Sequence, residues 1–470
     1  MPMEGRGPQE KDPMAGKDIG TQGPENSLTK LHRVAKRAQE DRKLRFTTVG
    51  HLLDETMLID AWTKVRKDGA AGVDGVTAKE YARNLEGNIR SLCNRLRQGK
   101  YIAPPVRRVW IPKANGELRP IGIPTLEDKI LQRATVAIME VIFEPNFLDT
   151  SYGFRPNRNA HMASDSIQRT LTFGPATWVL ELDIEDFFGS LDPNWLRKMV
   201  NLRLGDGLLR RLIGKWLKAG VLEEATLIKQ KQGTPQGGVV SPLISNIYLH
   251  CVLDAWFERK VKPALKGKAH LWRYADDVTL AFEHEEDARN VLELIRLRLG
   301  KFNLKLNEKK TKLLHFKKPK RDDDSQNGQP PTFNFLGFTY HWGLSRNGKN
   351  IVQRKTMASR LSRAISRINQ WCRINRHEPL KRQQDYLKAA LRGHYNYYGV
   401  TGNVRRLAAF YHWVTKTWHK WLSRRSQTGY LRWERMKKIL RYYPLEKPRV
   451  VHSIYRIPPL LPLAYGKTYS

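Results

Sequence analysis

The sequence predicts an α+β chain that closes with an all-α, strongly basic unit, and three observations predict it. Two stretches alternate around a tight turn, one at Asn115-Gly116 and one at Tyr274-Ala275-Asp276-Asp277, which is the pattern of a β-hairpin. Stretches such as 126–143 and 285–300 carry apolar residues at helical spacing. From about residue 351 the chain becomes helical, basic and aromatic. Residues 351–470 hold 26 Lys and Arg against 4 Asp and Glu, a net of +22 within a whole-chain charge of +37.

With 470 residues, 40% of them hydrophobic, the chain can bury a sizeable core and form two or three domains. A charge of +37 and a pI near 10.2 favour a polyanionic partner, nucleic acid first; an anionic membrane surface is the plainer alternative. No apolar run approaches the roughly 20 residues of a membrane span, and no signal-peptide core follows Met1. Cys93, Cys251 and Cys372 are too widely spaced for a zinc motif or a disulfide framework, so a reducing cytoplasm is expected.

Residues 1–30, rich in Gly, Pro, Glu, Lys and Gln, predict a disordered tail. A basic helix is expected over 31–45, where Arg33, Lys36 and Arg37 form either a solvated face or an RNA contact. A packed helix over 51–66, a glycine-punctuated loop over 69–75 and a helix over 81–96 follow. The hairpin at 101–124 is lined by Arg107, Arg108, Lys113 and Arg119. Next come a long helix over 126–143, a compact loop at 152–156 and a helix over 162–171. The β-rich run 178–184 contains Asp183 at its end. After a Gly-Pro loop at 232–238, Ser241 suits the N-cap and Pro242 the first turn of another helix. Beyond the second hairpin, strands are expected over 304–316 and 333–340, with a mobile polar loop at 317–331 between them.

The chemistry centres on the Asp276-Asp277 pair. Adjacent carboxylates repel, and an apolar hairpin is a costly place to hold them; a divalent cation removes that cost. An ordinary Asp-rich surface turn is the alternative for the pair taken alone. Asp183 lies at the end of another strand and faces the pair if the two strands are neighbours. Three carboxylates and the backbone carbonyl of Ile184 would suit two Mg²⁺ ions, with Mn²⁺ as a substitute, for phosphoryl transfer to a nucleotide.

The motif order is specific. Lys113 and Arg119-Pro120-Ile121-Gly122-Ile123-Pro124 are followed by Leu182-Asp183-Ile184-Glu185-Asp186-Phe187-Phe188 and Gly233-Thr234-Pro235-Gln236-Gly237-Gly238. Then come Tyr274-Ala275-Asp276-Asp277, Leu306-Asn307-Glu308-Lys309-Lys310-Thr311 and Phe335-Leu336-Gly337. This series resembles that of reverse transcriptases. The 69–75 and 152–156 loops and the tail around Gly393-His394-Tyr395-Asn396-Tyr397-Tyr398 resemble group II intron-encoded proteins, and the likeness covers roughly residues 30–470.

The resemblance implies a right-hand polymerase, with fingers and palm over 31–345 and a helical thumb/maturase domain over 351–470. Asp183, Asp276 and Asp277 match the family's metal-binding carboxylates. Lys113, Arg119, Phe188, Gln236 and Lys310 match residues around the incoming dNTP: Lys113 and Arg119 hold its phosphates, Phe188 is the steric gate against a ribose 2′-hydroxyl, and Gln236 belongs to the loop beneath the nascent base pair. Lys310 matches a lysine invoked as proton donor to pyrophosphate. Core packing remains the alternative for Phe188. Basic residues of both ends, namely Arg33, Lys36, Arg37, Arg405, Arg406, Lys416, Lys420, Arg424 and Arg425, are candidates for RNA contact.

The implied function is RNA-directed DNA synthesis joined to assistance of group II intron splicing and mobility. The implied partners are intron RNA, an RNA template with a DNA primer, dNTPs and a DNA target, in a bacterial cytoplasm near the nucleoid and without a membrane. After Cys372 the chain has no cysteine, so the paired-Cys endonuclease of many relatives is not expected. The resemblance then implies another primer, such as a nascent strand at a replication fork. The rival readings are a catalytically silent RNA-binding splicing cofactor and another bacterial reverse transcriptase serving a retron, a diversity-generating element or phage defence.

Overall fold

The computed structural model describes residues 27–112, 118–218, 221–223, 226–228, 238–319, 331–345, 347–426 and 429–453. Lys113, the Asn115-Gly116 turn, Gln236, most of the tail and most of the 317–331 loop lie outside the described residues.

Helix α1 (Ser27–Glu40) starts earlier than the basic stretch suggests and stops at Glu40. There the Asp41 carboxylate accepts from Lys43 N at 2.7 Å and turns the chain. The 51–66 stretch is divided, because Asp54 caps α2 (Glu55–Lys64) by accepting from Met57 N at 2.8 Å. The next stretch is also two helices: α3 (Ala78–Ala82), opened by a Thr77/Glu80 capping box, and α4 (Leu85–Arg97).

Strands β1 (Val106–Pro112) and β2 (Leu118–Ile123) pair antiparallel, from Arg107 opposite Ile123 to Pro112 opposite Leu118. Helix α5 (Leu126–Phe143) spans the range its spacing predicts, and α1 and α2 pack on it. Helix α6 (Ala160–Phe173) is capped by Asn159. Strand β3 (Trp178–Leu182) ends before Asp183, and β4 (Ile184–Glu185) leaves for another sheet. Helices α7 (Phe187–Ser190), α8 (Pro193–Asn201) and α9 (Gly207–Lys218) follow, then β5 (Val221–Glu223) and β6 (Thr226–Ile228). The first sheet has the order β2-β1-β5-β6.

Helix α10 (Ser241–Leu249) carries Pro242 in its first turn, but Val240 rather than Ser241 stands at the N-cap, and no side chain caps it. It runs on through π-helical stretches at His250–Asp254 and Phe257–Val261. Strands β7 (Ala269–Tyr274) and β8 (Asp277–Phe282) form the second hairpin, and α11 (Glu285–Lys301) follows. The single strand expected over 304–316 is two, β9 (Lys305–Leu306) and β10 (Lys312–His315). The Asn307 carbonyl accepts from Lys310 N and Thr311 N, which forces a turn between them. The second sheet has the order β10-β3-β8-β7, and β4 pairs with β9 alone.

A third sheet joins β11 (Phe333–Phe335), β12 (Phe338–Leu344) and β13 (Asn350–Thr356). The helical unit therefore begins later than residue 351. Val352, Arg354 and Thr356 are buried at every second position, which is strand periodicity. Helices α12 (Ala358–Ile374), α13 (Leu380–Tyr398), α14 (Val404–Leu422) and α15 (Trp433–Tyr442) complete the chain.

Three apolar cores result. The largest unites α1 to α5, α8 to α11 and one side of the second sheet; the second lies between α6 and the third sheet; the third is internal to α12–α15. The helical unit is tied to the third sheet by directed bonds. Asn403 accepts from Thr356 N at 2.9 Å and donates to its hydroxyl at 2.8 Å, and Tyr397 donates to the Leu336 carbonyl at 2.9 Å. That carbonyl belongs to a tight turn with φ of 50° at Leu336 and 78° at Gly337. A Cβ on Gly337 would lie 2.9 Å from the Tyr398 hydroxyl. Among the described residues no helix is long and apolar enough to cross a membrane.

Candidate active site

The Asp pair sits where the alternation of β7 and β8 requires a turn. Tyr274 pairs with Asp277, leaving Ala275 and Asp276 as the two turn residues. Ala275 has a φ of 57°, a conformation that costs an L-residue about 1–2 kcal/mol. Its surroundings hold it there. Arg273, fully buried, donates from Nη1 to the Ala275 carbonyl at 3.0 Å and to Asn246 Oδ1 at 2.9 Å. From Nε and Nη2 it grips the Asp254 carboxylate at 2.8 and 2.6 Å, and Nη2 also reaches the Ser151 hydroxyl at 2.8 Å.

The loop at 150–156 closes against the same turn. Arg273 N donates to the Thr150 carbonyl and Tyr152 N to the Arg273 carbonyl. A Cβ on Gly153 would fall 2.4 Å from Ala275 N, so only glycine lets the loop approach this closely. Asn246 donates to the Gly153 carbonyl at 2.7 Å, and Arg155 fastens the loop to the Leu148 and Ser151 carbonyls and to Glu144.

Asp183 is brought to the pair by strand register. β3 runs antiparallel beside β8, with Leu182 opposite Val278, so Asp183, the residue after β3, falls beside Asp277. The Asp183 carbonyl accepts from Asn307 N at 2.8 Å. Its carboxylate is 3.0 Å from Lys310 Nζ, which the turn before β10 delivers. Asp277 is exposed at the start of β8, yet desolvation by the protein packed around it and the nearby charges of Asp276 and Asp183 push its carboxyl up to about 6, while Arg360 and Lys310 act in the other direction. Arg360, on the first turn of α12, was not foreseen from the sequence.

Among the described residues no three Asp, Glu, His or Cys side chains form a ready metal cage. The residues present fit a divalent cation all the same. A cation would offset the desolvation and the carboxylate repulsion that raise the Asp277 carboxyl, and an ion such as Mg²⁺ takes several of its ligands from water and phosphate.

The other expected residues fall as follows. Phe187 is buried in the core, and Phe188 beside it is half-buried, its ring 5.3 Å from that of Phe187. Arg119 is exposed on β2, opposite Ile111. Arg33 and Arg37 line a cavity of about 570 Å³ with Lys30 and Arg45, whereas Lys36 is exposed beside Glu40. Arg405 is exposed and Arg406 half-buried at the start of α14. Lys416, Lys420 and Arg424 line a second cavity. Arg425 is committed to the protein itself, donating to the Arg376 and Glu378 carbonyls at 2.6 and 2.8 Å. The Arg273 clamp was the other feature missed. Its signal in the sequence is a lone arginine in an apolar strand.

Residues 111–340 match the family described as reverse transcriptase (RNA-dependent DNA polymerase). The group II intron-encoded protein LtrA of Lactococcus lactis subsp. cremoris is 40% identical over 47% of this chain and 37% of its own length. Protein YkfC of Escherichia coli is 36% identical over 52% of this chain and 72% of YkfC. The mitochondrial nuclear intron maturase 1 of Arabidopsis thaliana is 28% identical over 24% of this chain and 16% of its own length. The chain thus matches little more than a third of LtrA.

Proposed function

The chain belongs to the family of group II intron-encoded reverse transcriptases and maturases, and from that membership we propose that it is an RNA-directed DNA polymerase that also binds intron RNA and assists its splicing and mobility. In this reading residues 31–345 are fingers and palm, and α12–α15 are the thumb/maturase domain. The observation that carries it is the meeting of Asp183 with Asp276-Asp277, with Lys310 and Arg360 at the same place.

Asp183, Asp276 and Asp277 would hold two Mg²⁺ ions, which supply activation of the primer 3′-hydroxyl and charge neutralisation on the departing pyrophosphate. The protein's own part is positioning and charge. Lys310, on an exposed turn, can exchange Asp183 for a phosphate oxygen and carry a proton to the leaving pyrophosphate. Arg119 on the hairpin serves the triphosphate through charge-assisted bonds, and Lys113 and Gln236 complete the dNTP site. Phe188, less buried than Phe187, can stand against a ribose 2′-hydroxyl. The template RNA, DNA primer and DNA target would be held by the basic surface of the helical unit, whose stretch from 351 carries +22.

Primer extension on an RNA template with dNTPs and Mg²⁺ tests the reading. Extension by the wild type, and its loss in Asp276→Ala/Asp277→Ala with RNA binding retained, is the expected result. No extension by the wild type, or full extension by the double variant, overturns the catalytic assignment.

A further inference from the structure

A cavity of about 860 Å³ opens between α12, α14 and the residues Gly429, Tyr430 and Trp433. Its walls combine aromatic rings and cations, and among the described residues no carboxylate lines it. Trp413 is 48% exposed and Tyr430 74% exposed, so both present ring surface that the protein's own packing leaves uncovered. Lys416, Lys420 and Arg424 stand on the same helix face and its extension. The Lys416 ammonium lies 5.8 Å from the Trp413 ring.

The floor is rigid. Trp433 stacks on His419 with ring centroids 4.2 Å apart and 14° between planes, and His419 is anchored at 2.6 Å to the Leu431 carbonyl. On the α12 side Ser366 and Asn369 bring a hydroxyl and an amide. The Asn369 amide is held in place by Trp421, whose indole donates to its oxygen at 2.8 Å.

Exposed aromatic faces interleaved with lysine and arginine suit a stacked base with flanking phosphates rather than an apolar peptide. A base can enter only if it is unpaired, and folded RNA displays such bases in bulges and loops. The site is separate from the carboxylates. None of Asp183, Asp276, Asp277, Lys310 and Arg360 is among the residues that line it.

We propose that this cavity captures a single unpaired base of a folded RNA, stacked on Trp413 and Tyr430, with the adjoining phosphates on Lys416, Lys420 and Arg424. The inference rests on the RNA-binding part of the proposed function and adds which feature of the RNA the helical unit reads.

The test uses the full chain and two RNA hairpins, one fully paired and one with a single bulged 2-aminopurine. Binding of the bulged hairpin about tenfold more tightly, with a change in 2-aminopurine fluorescence, is expected. Trp413→Ala and Tyr430→Ala should each remove most of that preference, as loss of a base–aromatic stack does, while Trp413→Phe keeps it. Retained binding of the paired hairpin reports that the variants are folded. Equal affinity of the wild type for the two hairpins, or a preference unchanged in both alanine variants, overturns the cavity assignment alone. Equally tight binding of a bulged DNA hairpin overturns the choice of RNA. Failure to bind either RNA hairpin overturns the RNA-binding reading as well.

Discussion

Arg273 donates to the carbonyl of Ala275 at 3.0 Å, and this bond ties the turn of the paired aspartates to a buried ion pair. The guanidinium uses the two nitrogens that face Asp254 to stay in place and a third to hold a left-handed alanine. An arginine can do this because its donors form a planar fork; a lysine offers one nitrogen.

Arg273→Lys is therefore expected to lower kcat for primer extension at least tenfold while changing KM for dNTP and RNA affinity little. Arg273→Met should in addition destabilise the fold by about 3–5 kcal/mol, because it leaves Asp254 buried and unpaired. Steady-state extension kinetics and denaturant unfolding measure the two effects. An unchanged kcat in Arg273→Lys would remove the positioning role.

Phe187 and Phe188 separate packing from selection. Phe187 is 3% exposed, so Phe187→Ala should cost about 3–5 kcal/mol of stability. Phe188→Ala should cost less and raise incorporation of rNTPs relative to dNTPs. Competition between the two nucleotide types on one template reads the second effect, and an unchanged ratio rejects Phe188 as the gate.

Lys310→Ala should slow single-nucleotide incorporation by about a hundredfold or more, the lower end of what a lost general acid costs. It should barely move the unfolding midpoint, since an ion pair with an exposed lysine contributes about 1 kcal/mol or less. A large drop in stability with unchanged incorporation would make Lys310 a structural residue.

Burial pushes His250 down to about 4, with Arg273, Arg259 and Arg155 adding to the effect and Asp254 opposing it. Its folded value thus lies below the unfolded one near 6.5, so the stability it contributes is fully present above pH 6.5. That contribution is lost as pH falls toward 4, because the unfolded chain binds the proton first. Asp128, Glu140 and Glu181 are displaced upward by burial, and Asp277 by desolvation and its neighbouring carboxylates; all four act in the opposite sense. The informative quantity is therefore a difference. Between pH 7 and 5, His250→Gln should lose less stability on acidification than the wild type, as urea midpoints will measure. Parallel profiles would place the proton elsewhere.

Local patterns determined a good deal of this protein. Helical spacing marked α5 at both ends, alternation around a turn marked the β7–β8 hairpin, and the run to Asp183 marked β3. The placement of Asp183 beside Asp277 was conditional on two strands being neighbours, and periodicity reports which face of a strand is buried, not which strand lies beside it. Tertiary pairing of β3 with β8 decided that, as it decided the split of 304–316 into two strands and the strand character of 350–356. It also brought Arg360 from α12 toward Asp277 and aimed Arg273 at Ala275. The sequence by itself determined which carboxylates and cations the chain carries and the local elements that hold them. Only the tertiary structure decided which of them meet, because register and burial depend on segments far apart in the chain.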